Sequence, residues 1–103
     1  MRTIRGRVAA LKWSYYNAGA VEGYTVTRDE KKAWTATGAL VPGAVDAFKL
    51  AQRPLYFVAP FKGGAWRWEI KSLTLADGRF TASLGPMIVE GSNGIIPYPT
   101  ART

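Results

Sequence analysis

The 103-residue chain carries 14 Lys and Arg residues against 7 Asp and Glu, a formal net charge of +7, and 48% of its residues are apolar. A chain of this length can bury one hydrophobic core as a single domain, and its apolar content excludes intrinsic disorder. The absence of Cys and His excludes disulfides, thiolate nucleophiles, zinc sites built on those residues and the usual general base near neutral pH.

The positive charge and the N-terminal sequence predict partner class and compartment. An excess of cations favours nucleic acid as partner, with an acidic protein surface as the next class. The start MRTIRGRV lacks the apolar core of a signal peptide, and no apolar run approaches the about 18 residues of a membrane span. A chain without Cys also fits a reducing compartment. We therefore expect a cytoplasmic protein with no membrane partner.

The first third of the chain predicts three strands. TIRGRVAALKWSYY (residues 3–16) is typical of a long strand in which Gly6 marks a bulge or bend, and residues 17–19 supply a turn. VEGYTVT (residues 21–27) and AWTATGALV (residues 33–41) are rich in β-branched and aromatic residues, and the charged turn RDEKK joins them. This pattern predicts a hairpin.

One short helix and a second group of strands follow. AVDAFKLAQ (residues 44–52) has apolar residues at helical spacing, and Pro54 ends the predicted helix. PLYFVAPF (residues 54–61) is a nearly continuous apolar run that predicts a buried strand. AWRWEIKSLTL and RFTASLG flank Asp77 and Gly78, whose chemistry predicts a type I′ hairpin turn. In the first of these strands the apolar residues lie on one face up to Ile70 and on the other face from Leu73. This change near Ser72 predicts a bulge, a sharp bend or burial on both faces.

The element order indicates a mainly β fold. Three strands, a helix and two or three more strands predict a small antiparallel β-barrel of five to six strands, because a curved sheet of short strands must close or pack to bury one face. An OB-like barrel has its helix in this place in the order; an SH3-like barrel or a small α+β sheet fits nearly as well. We expect one domain over residues 1–103, with an irregular tail from about residue 87.

Two groups of residues are candidate binding sites. On the first strand, alternation places Arg5, Arg7, Trp13 and Tyr15 on one face, where arginines could hold phosphates and flat rings could stack with bases. The competing interpretation is that Trp13 and Tyr15 cover the core and that the arginines are only solvated.

The second group surrounds the two tryptophans of the later hairpin. Trp66 and Trp68 share a face and are expected in the core, whereas Arg67, Lys71 and Arg79 form an exposed basic group. If both halves of the chain fold onto one side, this group extends the arginine track of the first strand.

Nothing in the sequence predicts catalysis, a metal site or a cofactor. The seven carboxylates are scattered, with no spacing that indicates a catalytic pair, and no Ser or Lys lies in a recognisable nucleophile motif. We expect a non-enzymatic binding module for nucleic acid, single-stranded rather than duplex, in which cations track phosphates and Trp13, Tyr15 or Tyr24 stacks with bases. The alternative is a protein-interaction module, such as a phage or mobile-element inhibitor or accessory factor that docks on an acidic partner. A homo-oligomer or a small-ligand barrel is a further alternative.

Overall fold

The computed structural model describes residues 2–91 and the backbone of residues 94–96. Within these residues the chain forms seven strands, one 3-10 turn and one α-helix. In chain order they are β1 (Arg2–Trp13), β2 (Tyr16–Arg28), β3 (Trp34–Leu40), the 3-10 turn (Pro42–Ala44), α1 (Ala47–Leu50), β4 (Leu55–Phe61), β5 (Gly64–Ala76), β6 (Arg79–Gly91) and β7 (Gly94–Ile96). The tail predicted to be irregular from about residue 87 instead continues β6 to Gly91 and forms β7, and residues 92–93 and 97–103 lie outside the described residues.

Six of the strands close into an antiparallel barrel. The sheet order is β3-β2-β1-β4-β5-β6-β7, and β3 also pairs with β6, which joins the two ends of the six-stranded sheet. Because β4 returns to lie beside β1, the first four strands have Greek-key order. The prediction of a small antiparallel β-barrel with a helix between its third and fourth strands is confirmed. The barrel has one strand more than the five-stranded OB type.

The core is formed by side chains that alternate inward along the strands. Trp68, Phe57 and Phe80 are its largest fully buried members, and the ring of Trp68 lies 5.3 Å from that of Trp34 and 5.9 Å from that of Phe57, between ring centroids. The interpretation of Trp68 as a core residue is confirmed. Trp66 is half-buried and packs 4.7 Å from Phe61, between ring centroids.

Gly6 has a packing role. The register of β1 with β2 is unbroken past Gly6, so the predicted bulge is wrong, whereas the change of inward-facing positions beside it, near Arg7, agrees with a bend. A Cβ at Gly6 would collide with the ring of Tyr24, so Gly6 allows the ring to lie flat against β1. Tyr24 is only 4% exposed, and this burial raises the pKa of its hydroxyl. The prediction that Tyr24 could stack with a base is therefore wrong, because its ring belongs to the core.

The backbone at two hairpin turns tests the predicted turn chemistry. Asp77 and Gly78 have φ values of 53° and 75°, and positive φ at both central residues is the mark of the predicted type I′ turn. The turn expected at residues 17–19 is wrong, because these residues lie inside β2. The chain turns instead at Ser14 and Tyr15, where Ser14 takes a φ of 58°.

The parity change in β5 comes from irregular pairing with β6. Register shifts occur between Trp68 and Ile70 and again between Ile70 and Ser72. The predicted bulge is thereby confirmed, and it turns the last third of β5 relative to the barrel wall.

The predicted helix over residues 44–52 is shorter than expected. Val45 is extended and separates the 3-10 turn from α1. Asp46 caps α1 by accepting a 3.1 Å hydrogen bond from the backbone N–H of Lys49, which lowers the pKa of the Asp46 carboxyl. Only Leu50 of α1 is buried. In the described ranges, no helix has the length and apolar content needed to cross a membrane.

Candidate functional site

The four candidate residues of the first strand do not share one face. Ile4 points into the core, but further along β1 it is Ala9 and Leu11 that are buried, while Val8 is 50% exposed. The residues of β1 that point inward are therefore even-numbered before Arg7 and odd-numbered after it. The neighbouring strand β2 is irregular at this level, because Gly23 has a φ of 58° and the pairing of β2 with β3 shifts between Glu22 and Thr25. The expected single track over Arg5, Arg7, Trp13 and Tyr15 is wrong.

Arg5 and Arg7 lie far from the aromatic end of β1. Both are exposed, and at about 3.3 Å per residue they are about 23 and 17 Å from Lys12 along the strand. Neither forms an ion pair with a described carboxylate. Their part in binding stays a prediction.

Lys71 and Arg79 lie at different places on the later hairpin. The methylene stem of Lys71 passes over Gly85 of β6. Arg79 begins β6 beside the type I′ turn and pairs with Ala76 and Ala39. Arg79 is thus 11 residues from Glu90, or about 36 Å of strand. Strand register aligns Arg79 with Val8, the residue after Arg7, across β3 and β2, and the part of Lys71 and Arg79 in binding stays a prediction.

Three of the predicted residues do come together in a surface cleft. Trp13, Tyr15 and Arg67 line a space of about 550 Å³, which is within the usual range for small-molecule sites of about 300–1,000 Å³. We call it the Tyr15 cleft. The full lining consists of Lys12, Trp13, Ser14, Tyr15, Pro54, Tyr56, Val58, Arg67 and Glu90.

The register of three adjacent strands places these side chains. Lys12 of β1 pairs with Tyr56 of β4, and Arg67 of β5 pairs with the next outward residue of β4, Val58. Because side chains of the same parity point to the same face of a sheet, Lys12, Tyr56 and Arg67 all project outward over the junction of β1, β4 and β5. The cleft therefore depends on the pairing of β4 with both β1 and β5.

Arg67 is held in position by two contacts. Its guanidinium carbon lies 4.2 Å from the ring centroid of Tyr56, within cation–π range. Its Nη1 donates a 2.8 Å hydrogen bond to Oε2 of Glu90. The side chains of both ion-pair partners are partly buried, so the pair presents a fixed, flat guanidinium–aryl surface at one wall of the cleft.

Tyr15 and Lys12 also line the cleft. Tyr15 is 92% exposed in the turn between β1 and β2, so its ring is available to a ligand. Lys12 is half-buried and has no described carboxylate within ion-pair distance. Since Glu90 offsets Arg67, Lys12 supplies the net positive charge of the cleft.

An exposed aromatic cluster adjoins the cleft through Trp13. The ring centroid of Trp13 lies 5.7 Å from that of Tyr16 and 6.3 Å from that of Phe48. Phe48 projects from α1 and is 69% exposed, and Nζ of Lys49 lies 5.2 Å from the Tyr16 ring centroid. Contiguous exposed aromatic surface of this kind marks interaction sites.

Sequence reasoning missed Lys12, Tyr56 and Glu90. The run PLYFVAPF predicts a uniformly buried strand, but Leu55, Phe57 and Ala59 point inward while Tyr56 and Val58 are only half-buried. A signal was present, because Tyr56 is the one residue of that run with a polar group that favours water. Glu90 gave none, since its pairing with Arg67 depends on the β5–β6 register.

The cleft offers stacking surfaces and fixed charge. Among residues 2–91, no three carboxylates come close enough together to hold a metal ion. No family model, curated protein or solved structure matches this chain. The candidate site therefore depends on the geometry of the Tyr15 cleft alone.

Proposed function

We propose that this protein is a non-enzymatic binding module for single-stranded nucleic acid and that the Tyr15 cleft is its binding site. The observation that carries the proposal is one cleft lined by the exposed ring of Tyr15, by Lys12 and by the guanidinium of Arg67 stacked on Tyr56. Exposed rings and cations in one groove are the two components by which proteins bind single strands.

The rings and the ammonium group of the cleft would bind different parts of a nucleotide. A base can stack on the ring of Tyr15 or on the flat surface of Arg67, because every base has a π-face. The adjoining phosphate would bind Lys12 through charge and counterion release. Bases in a duplex are already stacked on one another, so a single strand is favoured. Neither contact reads base edges, so we expect weak sequence preference.

A charge-reversal experiment tests the proposal. We expect a fluorescent single-stranded oligonucleotide to bind in an anisotropy titration at physiological salt, and Lys12→Glu to weaken binding by at least about tenfold, since hydrogen bonds to charged groups contribute about 1.5–3 kcal/mol. The slope of log affinity against log salt should fall by about 0.7 for each phosphate of the single strand that the variant no longer neutralises.

Arg79→Glu is the matched control, because it makes the same change in net charge at an exposed position outside the cleft. It should reduce affinity much less than Lys12→Glu. Equal losses in the two variants, or binding that appears only at low salt, would mean general attraction to a protein of charge +7 and would contradict the proposal. A duplex competitor that displaces the strand at equal concentration would contradict the preference for single strands.

Glu90→Gln should increase affinity for the single strand. The carboxylate lies against Arg67 and repels phosphate, while the amide oxygen of Gln can still accept the hydrogen bond from Arg67. One charge near the surface contributes about 0.2–1 kcal/mol, so we expect a gain of up to about fivefold and a steeper salt dependence in the same titration. Glu22→Gln, an exposed carboxylate outside the cleft, should leave affinity close to wild type. A decrease on Glu90→Gln would assign Glu90 a direct role in binding instead.

The aromatic cluster favours a second function, protein docking. Phe48 and Tyr16 are exposed beside Trp13, and aromatic residues dominate the binding free energy of protein interfaces. We place this second because the cluster continues directly into the cleft through Trp13. It becomes the leading function if Lys12→Glu has no more effect on oligonucleotide binding than Arg79→Glu.

A further inference from the structure

The last part of β5 has a free edge. β4 pairs with β5 only from Gly64 to Glu69, and residues 72–76 pair only with β6. No other strand in the described part of the chain pairs with these five residues. We call residues 72–76 the edge segment; none of them lines the Tyr15 cleft.

The hairpin register shows which backbone groups this edge presents. Ala76 pairs with Arg79 next to the two-residue turn, and hydrogen-bonded pairs then alternate along the hairpin. The N–H and C=O groups of Ser72, Thr74 and Ala76 therefore point toward β6. Those of Leu73 and Leu75 point away from it, toward the free edge, where they are available to another strand.

The edge segment lacks the protection that free edges usually carry. Residues 72–76, SLTLA, contain no charge and no Pro, and Leu75 is 42% exposed. Among the described strands, the first half of β1 is also unpaired on its β4 side, but it carries Arg2, Arg5 and Arg7. Charged side chains oppose pairing with a second strand. Of these two edges, only that of β5 is suited to strand addition.

We propose that a second copy of this chain adds to the β5 edge, antiparallel to it, about a two-fold axis at Thr74. In this register Leu73 of each copy lies opposite Leu75 of the other. A symmetric pairing must be self-complementary, and this segment satisfies that condition in its apolar character and in the even spacing of its free backbone groups about Thr74.

The pairing also agrees with the backbone and with the core. The exposed N–H and C=O groups of Leu73 and Leu75 are the groups that an antiparallel partner in this register would bond. Leu73 packs against the core and lies on the same face of β5 as Leu75, so the Leu73 and Leu75 side chains of the two copies would contact one another on that face. The paired segment is short, so we expect a dimer that dissociates on dilution.

Cysteine trapping tests the two-fold axis directly, because the chain has no native Cys. At the axis, the two Thr74 residues form a non-hydrogen-bonded antiparallel pair with Cα atoms about 4.5 Å apart, within the range that a disulfide spans. Under mild oxidation Thr74→Cys should form a covalent dimer at least about tenfold faster than Thr81→Cys. Thr81 is the matched control, because it is also exposed and lies opposite Thr74 on β6, one strand away from the proposed interface.

A second variant tests the dimer without cross-linking. Thr74→Lys places like charges opposite each other at the axis and should shift the protein toward monomer in sedimentation at high micromolar concentration, whereas Thr81→Lys should not. Faster trapping at position 74, together with dissociation by Thr74→Lys, supports the proposal. Equal trapping rates, a monomeric wild type at every concentration, or a dimer unaffected by Thr74→Lys would overturn it. None of these variants touches the Tyr15 cleft, so a failure here leaves the nucleic-acid proposal standing.

Discussion

Replacing Trp68 with alanine is expected to destabilise the barrel by about 3–5 kcal/mol, the usual cost of removing a large aromatic residue from a packed core. Trp68 is 0% exposed and packs against both Trp34 and Phe57. Domains of this kind have free energies of unfolding of about 5–15 kcal/mol, so the variant should be close to unfolding at 37 °C. Urea denaturation followed by far-ultraviolet circular dichroism measures the change.

Trp66→Ala is the matched control, with the same side chain removed two residues away on the same strand. Trp66 is half-buried, so its loss should cost less than half as much. The indole N–H of Trp68 has no hydrogen-bond acceptor in the described residues, and a buried unsatisfied donor costs about 1–3 kcal/mol. Removing this donor offsets part of the lost packing free energy, so we expect the destabilisation by Trp68→Ala to be nearer about 3 than about 5 kcal/mol. Equal effects of the two substitutions would show that the core is not centred on Trp68.

Tyr15→Ala is expected to have the largest effect on binding. Stacking of one base on an aromatic ring contributes about 1–3 kcal/mol, so affinity for a single-stranded oligonucleotide should fall by about 5- to 150-fold. Tyr15→Phe keeps the ring and should stay within about twofold of wild type. Because Tyr15 is almost fully exposed, its removal should leave the free energy of unfolding unchanged. The same anisotropy titration measures both variants.

Tyr16→Ala provides the comparison for Tyr15→Ala. Tyr16 is the neighbouring residue and is also exposed, but it packs on Trp13 outside the cleft lining. Its replacement should lower affinity much less than Tyr15→Ala. If both variants lose affinity equally, the bound strand lies across the aromatic cluster. If neither does, the stacking component of the proposal is wrong.

The net charge of +7 is distributed over several places with different consequences. Arg67 is paired with Glu90 and fixed on Tyr56, and Lys12 lies in the cleft without a described partner. Arg5 and Arg7 lie on a free edge of β1, where they oppose unwanted strand pairing. A basic composition is therefore a general argument for acidic partners, while each cation has its own local role.

The sequence alone was sufficient for the fold class, the order of the elements and the type I′ turn at Asp77 and Gly78. These features depend on local chemistry: alternation of apolar residues, β-branched composition, and residues that tolerate positive φ. The burial of Trp68 and the bulge near Ser72 also followed from periodicity along one strand. The turn at Ser14 and Tyr15 did not, because neither residue is a strong turn signal and the residues at 17–19 competed with them.

The tertiary structure decided which side chains meet. If the alternation of β1 continued unchanged past Arg7, Arg5 and Trp13 would lie on one face. The irregular pairing of β2 around Gly23 accompanies a change in which residues of β1 point inward, so they do not. Trp13, Tyr15 and Arg67 meet because β4 enters between β1 and β5, and the ion pair with Glu90 depends on β5–β6 register. Local sequence determines the periodicity of each strand. The pairing order and register around a closed barrel are set by contacts between residues distant in the chain, and they determine where the binding residues lie.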